Sequence, residues 1–281
     1  MKINKIKSYA KINLALSVLR KVKKLHKIES LIAFINLHDI IYIKEISKKS
    51  HVIKFYGKFA AGISRNNTIL QLLKILDKRN LLKGIKYSFI INKKIPQKSG
   101  MGGGSINAAS ILKYFLRKKI FLLKKKEIEK ISNSIGSDVA LGLDNRNSIV
   151  LSSGKIQRLN KRLRLFLLIT KPSIGCSTKV IYQNVRKFSK SNVKNKNQYN
   201  FKLKNLIKLT NDLEKVAIKK YPILSSLKKT LEKLPGAKFV RMTGSGSTFV
   251  AYFVSKKVAL NAAKILKSKS NNYWSTVSKT I

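Results

Sequence analysis

Residues 95–110 read IPQKSGMGGGSINAAS, with Gly100, Gly102, Gly103 and Gly104 set just before an alanine-rich apolar run. The preceding stretch KYSFIINKKI (86–95) has the β-branched and aromatic content of a strand. After the glycines, Ala108, Ile111, Leu112 and Phe115 recur at i, i+3, i+4 and i+7, which predicts a helix with Ser105 as its N-cap. Strand, glycines, helix is an order with chemical meaning. Glycine has no Cβ and tolerates positive φ, so a ligand can lie against main-chain N–H groups. The unpaired amides and dipole of a following helix add to the same place, which attracts phosphate. The spacing fits neither G-x-x-x-x-G-K-[ST] nor G-x-G-x-x-G, so both better-known phosphate loops are excluded. The candidate phosphate-binding residues are Pro96, Gly100, Met101, Gly102, Gly103, Gly104, Ser105 and Asn107.

Outward from this stretch, YAKINLALSVL (9–19) and LHDIIYIKEI (37–46) predict strands, and NNTILQLLKIL (66–76) a helix. A helix over KKKEIEKISNSIG (124–136) ends at Gly136, where SDVALGL begins a second helix or a turn. A polar, turn-rich passage near 145–165 sets the expected boundary between domains 1–160 and 161–281. Beyond it lie a strand at LFLLITKPSIG (165–175) and a polar stretch (187–205) read as an exposed loop, with Tyr199 and Phe201 among its lysines. Helical patterns follow, then a hairpin in KFVRMTGSGSTFVAYFV (238–254), a helix at 255–268 and a last strand at 274–281. The order implies an α+β sandwich without internal repeats.

The 281 residues are 44% apolar, enough for packed cores, and carry 61 Lys and Arg against 11 Asp and Glu, a net charge of +50. Such charge can mark a nucleic-acid-binding module. The lysines are dispersed, however, and travel with Ile and Asn, the residues of A/T-rich codons, so compositional bias accounts for them. The expected partners therefore include no specific nucleic acid. One cysteine, Cys176, excludes an internal disulfide framework and fits a reducing, cytoplasmic setting. The lysine-broken N-terminus does not read as a signal peptide, and no apolar run approaches the ~18 residues a membrane span needs.

Three stretches, SYAKINLAL (8–16), IPQKSGMGGGSINAAS (95–110) and RMTGSGSTFVAYF (241–253), resemble in order and spacing the signature motifs of the GHMP kinases, which phosphorylate galactose, homoserine, mevalonate and phosphomevalonate. LHKIESLIAFINLHDIIYI (25–43), SIGSDVAL (134–141), STKVIY (177–182) and NDLEKVAIKKYP (211–222) are similar to the branch whose substrate carries cytidine. The resemblance covers nearly the whole chain. It implies a two-domain α+β fold, the first domain like a ribosomal-protein domain and the second a ferredoxin-like sandwich. The ligands it implies are ATP with Mg²⁺ and a cytidine diphosphate-linked methylerythritol, acted on by a monomer or homodimer.

From position alone, Lys11 is either a snorkelling strand-edge lysine or a buried charge, and Asp138 is either a helix N-cap or a substrate-facing carboxylate. The resemblance makes them the catalytic pair: the aspartate receives the hydroxyl proton, and the ammonium keeps it ionised. Asn13 lies on the strand face of Lys11 and is expected to bind substrate hydroxyls. The resemblance gives the cytidine end to His26, Tyr182 and Thr178. Leu25 stands where those kinases commonly carry an aromatic residue, which removes one stacking face and keeps homoserine or mevalonate as alternative acceptors. Gly244, Ser245 and Gly246 form either a plain hairpin turn or, as the resemblance implies, a second lip beside the phosphates. Valine at position 103 is expected to protrude into the phosphate space.

Overall fold

The computed structural model describes residues 2–23, 25–160, 163–191, 201–270 and 272–281. Its contacts divide the chain into two compact units, one drawn from residues 1–10, 37–97 and 102–145, the other from 11–36, 98–101 and 146–281.

In the first unit, the C-terminal part of β2 (Leu25–Ile46) runs antiparallel to β4 (Lys86–Asn92), with Ile41 opposite Ile91 and Ile43 opposite Phe89. Strand β3 (Val52–Tyr56) lies parallel to β4 on its other edge. The period of two in β4 turns Tyr87, Phe89 and Ile91 inward and leaves Ile90 exposed. Helices α1 (Thr68–Lys78), α2 (Gly103–Arg117), α3 (Lys125–Ile135) and α4 (Ser137–Gly142) supply most of the rest of this unit's core, joined by Leu82 and Phe121 from the connections. Asn67 caps α1 by accepting from the amides of Ile69 and Leu70 at 3.0 and 3.1 Å. Leu72, Leu76, Leu112 and Phe115 are wholly buried in that core. Helix α4 ends on Gly142 for a packing reason. A Cβ there would come within 2.7 Å of Ala109 Cβ and 2.8 Å of Ile106 Cδ1 on α2.

The second unit holds a four-stranded antiparallel sheet in the order β10-β7-β9-β8, formed by β7 (Phe166–Pro172), β8 (Phe239–Met242), β9 (Phe249–Phe253) and β10 (Tyr273–Lys279). Helices α7 (Asp212–Lys220), α8 (Ile223–Glu232) and α9 (Lys256–Lys269) pack their apolar stripes into its core, as does Ile181 of α5 (Thr178–Gln183). Leu16 and Val18 of β1 (Asn4–Val22) belong to the same core. Further on, Ser30, Leu31 and Ile32 of β2 pair with β5 (Ser148–Val150), which pairs in turn with β6 (Ile156–Arg158). The α+β reading holds, with mixed helix and strand in both units.

Several local expectations change. Strand β1 runs beyond the predicted stretch at both ends, and β2 begins well before its alternating part because Leu31–Ile35 is buried throughout and shows no period of two. Ser105 is not the N-cap of α2. Gly102 occupies that position with φ of 71° and no side-chain cap, and Ser105 is the third helical residue. The polar stretch at 187–205 is not all loop: Leu203–Lys208 forms α6, and Phe201 is buried. Tyr199, with the rest of 192–200, lies outside the described residues. Among the described residues no helix is long and apolar enough to cross a membrane.

Candidate active site

Within the second unit, the three signature stretches converge on one hydroxyl. Lys11 is buried, and its Nζ donates to Asn13 Oδ1 at 2.8 Å, so the two side chains share a face of β1 as their spacing requires. This is not a snorkelling lysine. Asn13 Nδ2 donates to Ser30 Oγ at 2.8 Å, and that hydroxyl donates onward to the Ala15 carbonyl at 2.6 Å, which fixes the asparagine's rotamer. The amide of Asn13 donates to Thr243 Oγ1 at 2.9 Å. The Thr243 hydroxyl in turn faces the Gly100 carbonyl at 3.3 Å and Asn13 Oδ1 at 3.4 Å. The Lys11 amide donates to the Met101 carbonyl at 3.2 Å.

The backbones here leave no room for side chains. Gly100 has φ of 72°, and a Cβ on it would collide with the Thr243 carbonyl oxygen. Gly244 has φ of 55°, and a Cβ on it would lie 2.9 Å from the Gly100 carbonyl oxygen. Asn211 holds the turn from below, donating to the carbonyls of Met242 and Gly244 at 2.8 Å each while it caps α7 through the Leu213 amide at 3.0 Å. Ser245 Oγ and Thr178 Oγ1 are hydrogen-bonded at 2.9 Å, which ties the start of α5 to the same turn. Gly246 has φ of 85°, and its missing Cβ leaves space for Met242 Sδ and Cys176 Sγ.

Also in the second unit, the His26 ring lies 5.2 Å from Tyr182, tilted by 37°, and 6.4 Å from Phe188, tilted by 38°. Partial burial, and then the nearby Lys21 charge, lower the His26 pKa, which favours the neutral ring. A neutral imidazole can both donate and accept. Leu25 is 76% exposed.

Within the first unit, α2 opens on Gly102, Gly103 and Gly104 with no side chain capping its first amides, and the Ile106 amide donates to the Gly102 carbonyl at 2.9 Å. Thr68 Oγ1 donates to the Gly104 carbonyl at 2.8 Å. Pro96 is buried, and the neighbouring Gln97 Nε2 donates to the carbonyls of Phe59 and Ala61 at 3.0 and 2.6 Å. A Cβ at Gly103 would face Ile95 Cγ2 at 3.1 Å and Lys93 Nζ at 3.6 Å. It points into the protein, contrary to the expectation that valine there would protrude toward phosphate. The Asn107 side chain is engaged internally, Nδ2 donating to Ser8 Oγ at 2.9 Å and to Asp39 Oδ2 at 3.0 Å while Oδ1 accepts from Lys93 Nζ at 2.9 Å. Asp138 is the second residue of α4, partly buried, where the helix dipole favours its negative charge. It is not the N-cap, a position that Gly136 takes.

Thr243, Asn211, Phe188, Ser8, Asp39 and Lys93 were not singled out by the sequence. Thr243 was within reach as the first residue of TGSGS, but a lysine among 61 basic residues, or a phenylalanine in a polar stretch, sends no separate signal.

Glycine turns with positive φ occur in both units, one of them at the start of a helix without a side-chain cap, in an α+β chain whose glycine spacing follows neither of the two common phosphate-loop patterns. The chain belongs to the GHMP kinase family: residues 67–151 match the GHMP kinases N terminal domain and residues 194–272 match GHMP kinases C terminal. It is 53% identical over 277 residues to a 4-diphosphocytidyl-2-C-methyl-D-erythritol kinase of Pelagibacter ubique (strain HTCC1062), with 99% of each chain covered. It is 30% identical over 278 residues to the kinase of the same name from Clostridium perfringens (strain SM101 / Type A), with 94% of each covered. Among solved structures, a 4-(cytidine 5'-diphospho)-2C-methyl-D-erythritol kinase superposes with a TM-score of 0.79 at 22% identity, covering 98% of this chain and 99% of that one. The L. major mevalonate kinase in complex with R-mevalonate gives a TM-score of 0.71 at 16% identity, covering 98% and 95%.

Proposed function

We propose that this chain is an ATP-dependent kinase that phosphorylates the 2-hydroxyl of 4-diphosphocytidyl-2-C-methyl-D-erythritol, giving the 2-phosphate, in the non-mevalonate route to isoprenoid precursors. The observation that carries this reading is the 53% identity, over 99% of both chains, to a relative of that name. In this reading the amides of the glycine loop and of α2 hold the ATP phosphates. The alcohol gives its proton to the Asp138 carboxylate as its oxygen attacks the γ-phosphorus. The bond from that phosphorus to the β–γ bridging oxygen breaks, and ADP leaves with the electron pair. Lys11, held by Asn13, supplies positive charge to the hydroxyl being activated. Asn13 orients the substrate alcohol, and Gly244, Ser245 and Gly246 line the phosphate side. His26 reads the cytosine edge, Tyr182 covers the base, and Thr178 stands beside Ser245.

Mg²⁺ suits the donors at hand. Among the described residues no cluster of three His, Cys, Asp or Glu side chains could hold an ion by itself. The Ser105 hydroxyl together with nucleotide oxygens and water is the incomplete protein ligation that Mg²⁺ accepts. When bound, it would neutralise charge on the β- and γ-oxygens. The enzyme in this reading is cytoplasmic and acts as a monomer or homodimer.

Leu25, in place of an aromatic residue beside His26, favours one second reading, a kinase for a different small alcohol such as homoserine or mevalonate. Coupled ADP release with the three alcohols separates the two. The cytidine substrate is expected to turn over with the highest kcat/KM, and ADP release no faster than without acceptor would overturn the assignment.

A further inference from the structure

We infer that a buried quartet in the first unit, Asp39, Lys93, Asn107 and Ser8, is a positioning device for the phosphate loop. The inference rests on the reading of that loop as the ATP site. Asp39 is wholly buried and spends both carboxylate oxygens. Oδ1 accepts the amides of Lys94 and Ile95 at 2.7 and 2.9 Å, and Oδ2 accepts Lys93 Nζ and, at 3.0 Å, Asn107 Nδ2. Lys93 is 3% exposed, and its ammonium also donates to Asn107 Oδ1 at 2.9 Å. Asn107 donates in addition to Ser8 Oγ at 2.9 Å, which links the set to β1.

The residues joined in this way have a common location. Lys94 and Ile95 carry the chain from β4 toward the glycines, and Asn107 sits in the second turn of the helix that follows them. One carboxylate therefore grips the segment before the glycine turn through two amides and the Lys93 ammonium, and the segment after it through Asn107. The ideal Cβ position at Gly103, 3.1 Å from Ile95 Cγ2, shows how closely the first turn of α2 rests on the gripped segment. A buried ion pair is a poor source of net stability, because apolar replacements of similar volume commonly do as well. A fully satisfied polar network instead fixes one geometry. Glycines cannot fix their own conformation, since they have the widest choice of φ and ψ. The quartet supplies that constraint from outside the loop, and none of its side chains is required to touch nucleotide.

The test compares the full-length wild type with Lys93→Met, Asp39→Asn, Lys93→Met/Asp39→Asn and Ser8→Ala. It measures calorimetric Kd for a non-hydrolysable ATP analogue with Mg²⁺, KM for the alcohol, kcat and thermal unfolding. Lys93→Met is expected to weaken analogue binding about tenfold, equivalent to about 1.4 kcal/mol, with the alcohol KM within about twofold of wild type. The neutralised double variant is expected to recover thermal stability while analogue binding stays weak, a split that a merely structural role would not produce. If Lys93→Met does not fold, Ser8→Ala removes one neutral hydrogen bond and is expected to weaken analogue binding about twofold to fourfold without moving the alcohol KM. Folded variants that bind the analogue like wild type, or lose analogue and alcohol affinity in parallel, would overturn the inference. A wild type that binds the analogue but turns over none of the alcohols refutes the substrate assignment alone, because the binding arm needs no acceptor.

Discussion

Lys11 shows how differently one residue type can be used within a chain of net charge +50. Its ammonium is buried and bonded to Asn13, whose other end is locked through Ser30 to the Ala15 carbonyl. If Lys11 and Asp138 activate the alcohol, Asp138→Asn should lower kcat by about 10²–10⁴-fold, the range of general-base catalysis, with ATP affinity nearly unchanged. Rapid-quench turnover alongside nucleotide binding checks this, and normal turnover would remove Asp138 as the base. Thr243 offers a cleaner contrast. Thr243→Val keeps the shape but leaves the buried Asn13 amide without an acceptor, costing about 1–3 kcal/mol, whereas Thr243→Ser keeps the oxygen. Denaturant unfolding should therefore rank serine well above valine. Burial pushes the Cys176 thiol up to about 11. Its folded-state pKa lies above its ordinary value of 9.0, so the stabilising contribution is complete below pH 9 and is lost as pH rises toward 11. The native thiol should also resist alkylation at pH 8 until the chain is unfolded, which a timed alkylation with and without denaturant reads directly.

At the scale of elements, the glycine loop announced itself because strand, glycines and helix each follow a local rule. The helix's true starting residue did not, since a glycine N-cap in the left-handed region leaves no polar side chain to read, and Ser105 was the only apparent cap. Strand lengths were underread where Leu31–Ile35 is buried on both faces and alternation vanishes. The grouping of Lys11 with Asn13 was legible from a spacing of two. The bonds from Thr243 and Asn211 were not, because they join positions more than thirty and more than two hundred residues apart in sequence. The glycines themselves divide by geometry. Gly100→Ala forces a side chain onto positive φ and against the Thr243 carbonyl, so it should lower the unfolding temperature and weaken nucleotide binding together. Gly103→Val should do its damage inward, against Ile95 and Lys93, and appear first as a loss of stability of about 1–3 kcal/mol. Thermal scans of the two variants with and without ATP would show whether the second is rescued by ligand more fully than the first.

Over the whole molecule, the net charge of +50 comes from lysines spread along the sequence. Weak attachment to a non-specific duplex is expected at low salt and should fall steeply between about 50 and 200 mM, as counterion release demands, while ATP binding persists. A titration in which duplex binding survived at the higher salt would point to a built nucleic-acid surface. The sequence could not show how the two units share the polypeptide. The second draws on residues 11–36 and 98–101 as well as everything from 146 onward, and Leu16 and Val18 belong to its core. No uninterrupted stretch of the gene can therefore encode that unit without also encoding the other. Shuffling halves between relatives at a single crossover would graft one parent's apolar strand onto another parent's helices, so viable chimeras should be rare unless they exchange three separate blocks at once.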